Sequence, residues 1–156
     1  MTQPTGLRVH VDAGDCPDAT ASLLERAIRH TLEAERRADA EVSLALLADA
    51  EMRELNLRYL GKDHPTDVLA FSLGDGDDVV GDVYVGLDQA TRQAAELGIP
   101  LEEELVRLAV HGTLHVLGHD HPEGPEREQS PMFQAQERLV RELFAAAHTR
   151  ARSLLR

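Results

Sequence analysis

The chain has 156 residues, a formal net charge of −12 and one cysteine, Cys16. The length reads most simply as one domain over residues 1–156, able to bury about two-thirds of its unfolded surface without help from disulfides. A single cysteine excludes an intrachain disulfide, no apolar run approaches the ~20 residues that span a bilayer, and the N-terminus has no signal-peptide core, so a soluble, cytoplasmic protein is expected. The acidic balance argues against non-specific nucleic-acid binding over the whole surface but leaves room for a local basic groove.

LRVHVD (7–12) alternates and predicts a strand. Residues 17–37 carry Leu23, Leu24, Ala27, Ile28 and Leu32 at helical spacing. EVSLALLA (41–48) predicts a second strand, and Asp49 is a suitable N-cap for a helix over 50–59 ended by Gly61. KDHPTD reads as a loop, DVLAFSL as a buried strand and GDGDD as a turn. VVGDVYVGL is the next strand, with Gly81 at a bulge or a close approach. A helix over 88–97 stops at Gly98, and Pro100 opens another, LEEELVRLAVHGTLHVL, with acids in its first turn. HPEGPEREQSP is a loop, and 132–150 is a last amphipathic helix before an Arg-rich end expected to fray. About five helices mixed with strands in no regular alternation predict an α+β fold with a mixed sheet. Lys62 is the only lysine and Asn56 the only asparagine, both in LNLRYLGKDHPTD.

HGTLHVLGHDH (111–121) holds four of the eight histidines. Residues four apart share a helix face, so His111 and His115 point at one place. Gly118 predicts a left-handed turn after them, which brings His121 in from the side and swings His119 away. The favoured metal ligands are therefore His111, His115 and His121, on a helix and the turn that follows it. H-x-x-x-H-x-x-G-x-x-H is the ligand spacing of a large class of zinc proteases, in which a glutamate after the first histidine is the general base. Here that position is Gly112, so the metal platform remains and the proton-transfer group of peptide hydrolysis is missing. Three imidazoles leave a fourth position open, the arrangement of a catalytic Zn²⁺. Imidazole also suits nickel, copper or iron. Asp120 reads either as a support for a ligand histidine or as a solvated loop acid. His119 reads as a neighbour, a competing fourth ligand or a proton carrier. His10, His30, His64 and His148 read as structural or solvent-facing.

The motif HGTLHVLGHDH resembles the H-G-x-L-H-L-x-G-Y-D-H pattern of the YbeY family of bacterial endoribonucleases. LNLRYLGKDHPTDVLAFS (55–72) and GDVYVGLDQATRQAAELG (81–98) are similar to two further blocks of that family, in the same order. The resemblance runs from about residue 40 to 140. It implies a small mixed sheet of four strands, one metal, usually zinc, on His111, His115 and His121, and metal-dependent cleavage of single-stranded RNA. It further implies maturation of the 16S rRNA 3′ end and ribosome quality control, with rRNA and the small ribosomal subunit or its proteins as partners, and neither membrane nor DNA. Thr66, Asp67 and Asp82 match motif positions. The family's Arg after the Tyr is Leu60 here, which leaves phosphate binding to Arg58 or Lys62; its Tyr before Asp-His is His119, and its Ser is Ala70. Two other readings stand beside this one. One is a metal-dependent hydrolase of another substrate class, with an acid such as Asp82 as base. The other is a non-catalytic ribosome assembly factor with a structural metal.

Overall fold

The computed structural model describes residues 6–74 and 78–154, with side chains described through residue 145. Four strands, β1 (Leu7–Asp12), β2 (Ala40–Leu47), β3 (Val68–Ser72) and β4 (Val80–Gly86), form one sheet in the order β1-β2-β4-β3. β1, β2 and β4 run parallel, and β3 is antiparallel to β4. The fold is thus α+β with a mixed four-stranded sheet. Among the described residues five α-helices accompany it: α1 (Asp18–Ala34), α2 (Asp49–Leu60), α3 (Leu87–Leu97), α4 (Leu101–Val116) and α5 (Pro131–Leu154).

α4 organises the core. From Glu104 to Val116 all but Arg107 and His115 are buried. A helix apolar nearly all round must be covered on every side, and α1, α3, α5, β3 and β4 all pack against it. This buries the first histidine of the motif with the helix and leaves the second at the helix's C-terminal rim.

Two close approaches set how deeply α4 beds into the sheet. A Cβ on Gly112 would lie 2.5 Å from Val83 Cγ1. A Cβ on Gly81 would lie 2.4 Å from Val116 Cγ1 and 2.9 Å from the Phe71 carbonyl oxygen. Gly81 pairs in unbroken register with Val42 and Ser72, so it marks a close approach and not a bulge.

Several predicted boundaries move. α2 begins at Asp49 itself and Ala48 is its cap residue. The Asp49 carboxylate is drawn off by Arg92, which donates to both its oxygens at 3.0 Å. A 3₁₀ turn, Arg127–Gln129, interrupts the predicted loop, and α5 continues to Leu154, past the predicted end at Arg150. The GDGDD turn includes residues 75–77, which lie outside the described residues, as do the side chains of His148 and the Arg-rich end. No helix among the described residues is long and apolar enough to cross a membrane.

Candidate metal centre

The chain leaves α4 through a glycine turn of the kind the sequence predicts. Gly118 has φ +97°, its N–H donates to the His115 carbonyl at 3.0 Å, and the His119 N–H reaches back to the Leu114 carbonyl at 3.0 Å. These two bonds satisfy carbonyls that the helix end leaves open, and only a glycine adopts that backbone without strain. Asp120 then accepts the His121 N–H at 2.9 Å, which holds the next residue in the turn.

The result is a three-histidine group. His111, His115 and His121 each offer a ring nitrogen within 4.8 Å of the others, an arrangement able to bind a metal ion. The rings' other nitrogens are all occupied. His115 Nδ1 faces the His119 carbonyl at 2.9 Å and His121 Nδ1 faces the Pro122 carbonyl at 3.1 Å. His111 Nδ1 lies 2.7 Å from Gln136 Oε1, and Gln136 uses its NH₂ on Glu137 at 3.0 Å. Carbonyl oxygens only accept, so these bonds assign the proton to Nδ1 in all three rings. The Nε2 atoms are left as lone pairs. Those of His111 and His115 stand 3.1 Å apart, where two acceptors repel unless a cation lies between them. Three neutral imidazoles with fixed tautomers and converging lone pairs fit a transition-metal ion.

Burial keeps His111 and His115 neutral. The His111 pKa is pushed down to about 4, chiefly by burial, with the Gln136 bond opposing and the charges of His115, Arg127 and His121 assisting. His115 is lowered as well, again chiefly by burial. At neutral pH no proton has to leave these two rings before a metal binds.

Behind His111 runs a polar chain that sequence reading did not find. Gln136 bonds Glu137, and Arg107 grips both oxygens of Glu137 at 2.9 and 3.1 Å. Arg107 also holds Glu104, which is 3% exposed and accepts from Gln93 at 3.0 Å. The pKa of Glu137 is lowered: burial raises it, and the Arg107 and Gln136 bonds outweigh that. The one legible sign was a glutamine on the apolar face of α5, four residues after buried Met132 and three before buried Leu139.

The histidines line one end of a cleft of about 410 Å³. One wall is formed by the end of α2, the loop after it and β3; the other by the turn and loop after α4. Lys62, His64, Thr66 and Asp67 line it, as do Asp120, Glu123 and Arg127. Arg58 does not: it pairs with Glu54 at 3.8 Å on the exposed side of α2. Asn56 is 1% exposed and donates to the His64 carbonyl at 2.9 Å, so the one asparagine braces the loop that carries the one lysine. Asp82 lies elsewhere. Strand alternation turns Val83 toward α4 and Asp82 to the other sheet face, in a separate cavity with His10 and Ser43. It is thus removed as a base for the three-histidine group. His119 also points away and pairs through Nε2 with Glu35, the residue after α1. Among the described residues the group therefore has three histidines and no fourth protein ligand, which takes away support for a closed structural site. His10 and His30 sit against Glu41 and Glu142, as expected of peripheral histidines, whereas His64 belongs to the cleft.

The comparisons with known proteins point to one family. The family model described as "Endoribonuclease YbeY" matches residues 10–144. A protein of that name from Carboxydothermus hydrogenoformans is 40% identical over 142 residues, covering 90% of this chain and 95% of its own. One from Aquifex aeolicus is 50% identical over 94 residues, covering 58% of this chain and 63% of its own. The solution structure of TM1509 from Thermotoga maritima is similar with a TM-score of 0.66 and 30% identity, covering 92% of this chain and 93% of that one. With most of its length matched and three converging histidines at the end of its cleft, the chain belongs to the YbeY family of endoribonucleases.

Proposed function

We propose that this chain is a single-domain, single-strand-specific, metal-dependent endoribonuclease that matures the 3′ end of 16S rRNA and serves ribosome quality control. The observation that carries the reading is the set of three Nε2 lone pairs, fixed by three Nδ1–H bonds, at the end of an open cleft in a chain of this family. His111, His115 and His121 are the ligands of one ion, with Zn²⁺ the best match to three imidazoles and an open position. When bound, such an ion supplies Lewis acidity toward a phosphoryl oxygen and lowers the pKa of a coordinated water.

The chain's own residues do the rest. Lys62 offers a cation to the RNA backbone from the α2 wall. Asp67 lies in the cleft near Thr66 and Gln93, each at 3.5 Å, and is placed to take a proton there. Tyr59, 56% exposed and next to Leu60 of the cleft, offers a ring at its edge, while its ring neighbour Phe71 and Tyr84 beyond it lie on the sheet face that Asp82 shares. Unpaired bases stack on such rings whereas a duplex cannot, which supports single-strand preference. The charge of −12 opposes binding to naked RNA. Delivery by the small ribosomal subunit answers that repulsion and places the protein in the cytoplasm.

The test is to offer small subunits carrying a 3′-extended precursor to the metal-loaded protein. Mature 3′ ends, lost on chelation and restored by zinc, are expected. Uncut precursors beside efficient cleavage of free single-stranded RNA would remove the ribosomal role and leave the nuclease.

Gln136→Leu tests the tautomer argument. The change keeps the volume of the buried side chain and removes the acceptor that fixes His111. Loss of such a support costs metal affinity about 10–100-fold. A competitive chelator titration measures it, and an unchanged affinity would contradict the assigned role.

A further inference from the structure

Resting on the endoribonuclease reading, we propose that Arg127 is the phosphate-binding cation of this cleft, contributed from the wall facing the one where Leu60 leaves the position apolar. Leu60 and Arg127 line the same cleft but come from different walls, the end of α2 and the 3₁₀ turn after the last histidine. Arg127 and His111 both line this cleft and a neighbouring one of about 250 Å³. Arg127 thus borders both open spaces next to the buried histidine.

Its backbone is braced. The Arg127 N–H donates to the Gly124 carbonyl at 3.1 Å, and the Arg127 carbonyl accepts from the Ser130 N–H at 3.2 Å and Oγ at 2.7 Å. Its side chain is uncommitted. Arg53, Arg92 and Arg107 are held by carboxylates, while Arg127 forms no ion pair among the described residues, although Asp120 and Glu123 line the same cleft. A guanidinium free of a carboxylate can present two parallel N–H donors to phosphate oxygens. A cation so placed sits near the charge that develops on a phosphodiester cut beside the three histidines. It works with Lys62 on the α2 wall, so the backbone passes between two cations in an otherwise acidic protein.

The test uses the full chain, metal-loaded, as wild type, Arg127→Ala and Arg127→Lys. Binding of a fluorescent, uncleavable 2′-O-methyl single-stranded RNA is followed by anisotropy over a series of salt concentrations, alongside cleavage of the matching RNA. Loss of one phosphate contact is expected to flatten the slope of log K against log salt by about 0.7 in Arg127→Ala. The rate is expected to fall about 10²–10³-fold, as when one oriented donor to developing charge is removed. Arg127→Lys keeps the slope and loses part of the rate, because it keeps charge without the fork. Metal content and thermal melting stay as in wild type, which separates a contact from a folding defect. An unchanged slope and rate in Arg127→Ala would overturn the proposal. If the wild type binds the probe but cuts no RNA, the endoribonuclease reading fails while the slopes still decide Arg127. A wild type that does not bind the probe overturns the Arg127 proposal, and cleavage of the precursor on small subunits then decides the endoribonuclease reading separately.

Discussion

His111→Ala is expected to abolish stable metal binding and to lower RNA cleavage by more than about 10³-fold, while His119→Ala leaves both within about threefold. The two residues sit eight apart in one histidine-rich stretch and have opposite environments. His111 is 7% exposed, neutral and tied to Gln136, with its free nitrogen aimed at His115 and His121. His119 faces the end of α1 and pairs with Glu35. That pair is a partly exposed contact worth at most about 1 kcal/mol. Metal analysis after gel filtration and a single-turnover cleavage assay check both variants. Metal retained by His111→Ala, or lost from His119→Ala, would show that the wrong three histidines have been chosen.

Gly112→Glu is expected to cost more than about 4 kcal/mol of stability and to yield no peptidase. The variant restores the residue that zinc proteases carry after the first histidine. Here α4 lies directly on the sheet at that point, with Val83 Cγ1 2.5 Å and Val68 Cγ2 3.3 Å from where a Cβ would stand. Overpacking alone costs about 1–3 kcal/mol, and a carboxylate buried against two valines adds an unpaid desolvation penalty. Against a typical margin of about 5–15 kcal/mol the protein is left marginal or unfolded. Gly112→Ala separates the two contributions, since it adds the clash without the charge and regains ~1 kcal/mol of helix propensity. Urea unfolding of both variants measures the difference. A Gly112→Glu protein as stable as wild type would mean that α4 does not bed on β4 as described.

The missing glutamate is thus a packing feature as much as a chemical one, and that half was hidden from the sequence. Spacing says which residues share a helix face but not which neighbour presses on it. The same limit explains Asp82. Alternation places it on one face of a strand, and only the sheet order and the position of α4 reveal that this is the face away from the histidines. Spacing likewise does not separate Arg58, which pairs with Glu54 on the exposed side of α2, from Lys62, which lines the cleft.

Legibility was high where chemistry is local. The helix–glycine–histidine turn follows from the four-residue spacing and from the φ +97° that Gly118 supplies. Most strand and helix ends fall within one residue of expectation because their periods are clean; α1 stops at Ala34 and not Arg37, α5 runs on to Leu154, and Asp49 enters α2 because a distant arginine recruits its carboxylate. Of the supports of the site, Gln136 showed only as a polar residue on an apolar helix face and Arg127 not at all, because both approach the histidines through folding and not through spacing. Lys62 and Asn56, the chain's one lysine and one asparagine, also meet in the fold, one a residue of the cleft and the other the brace for its loop.

The most direct test of a three-histidine metal nuclease is the cleavage of single-stranded RNA by metal-free protein titrated with zinc. The predicted activity starts at zero, rises in proportion to added metal and levels off at one equivalent per chain. Full cleavage by the metal-free protein, or none at any loading, would contradict it.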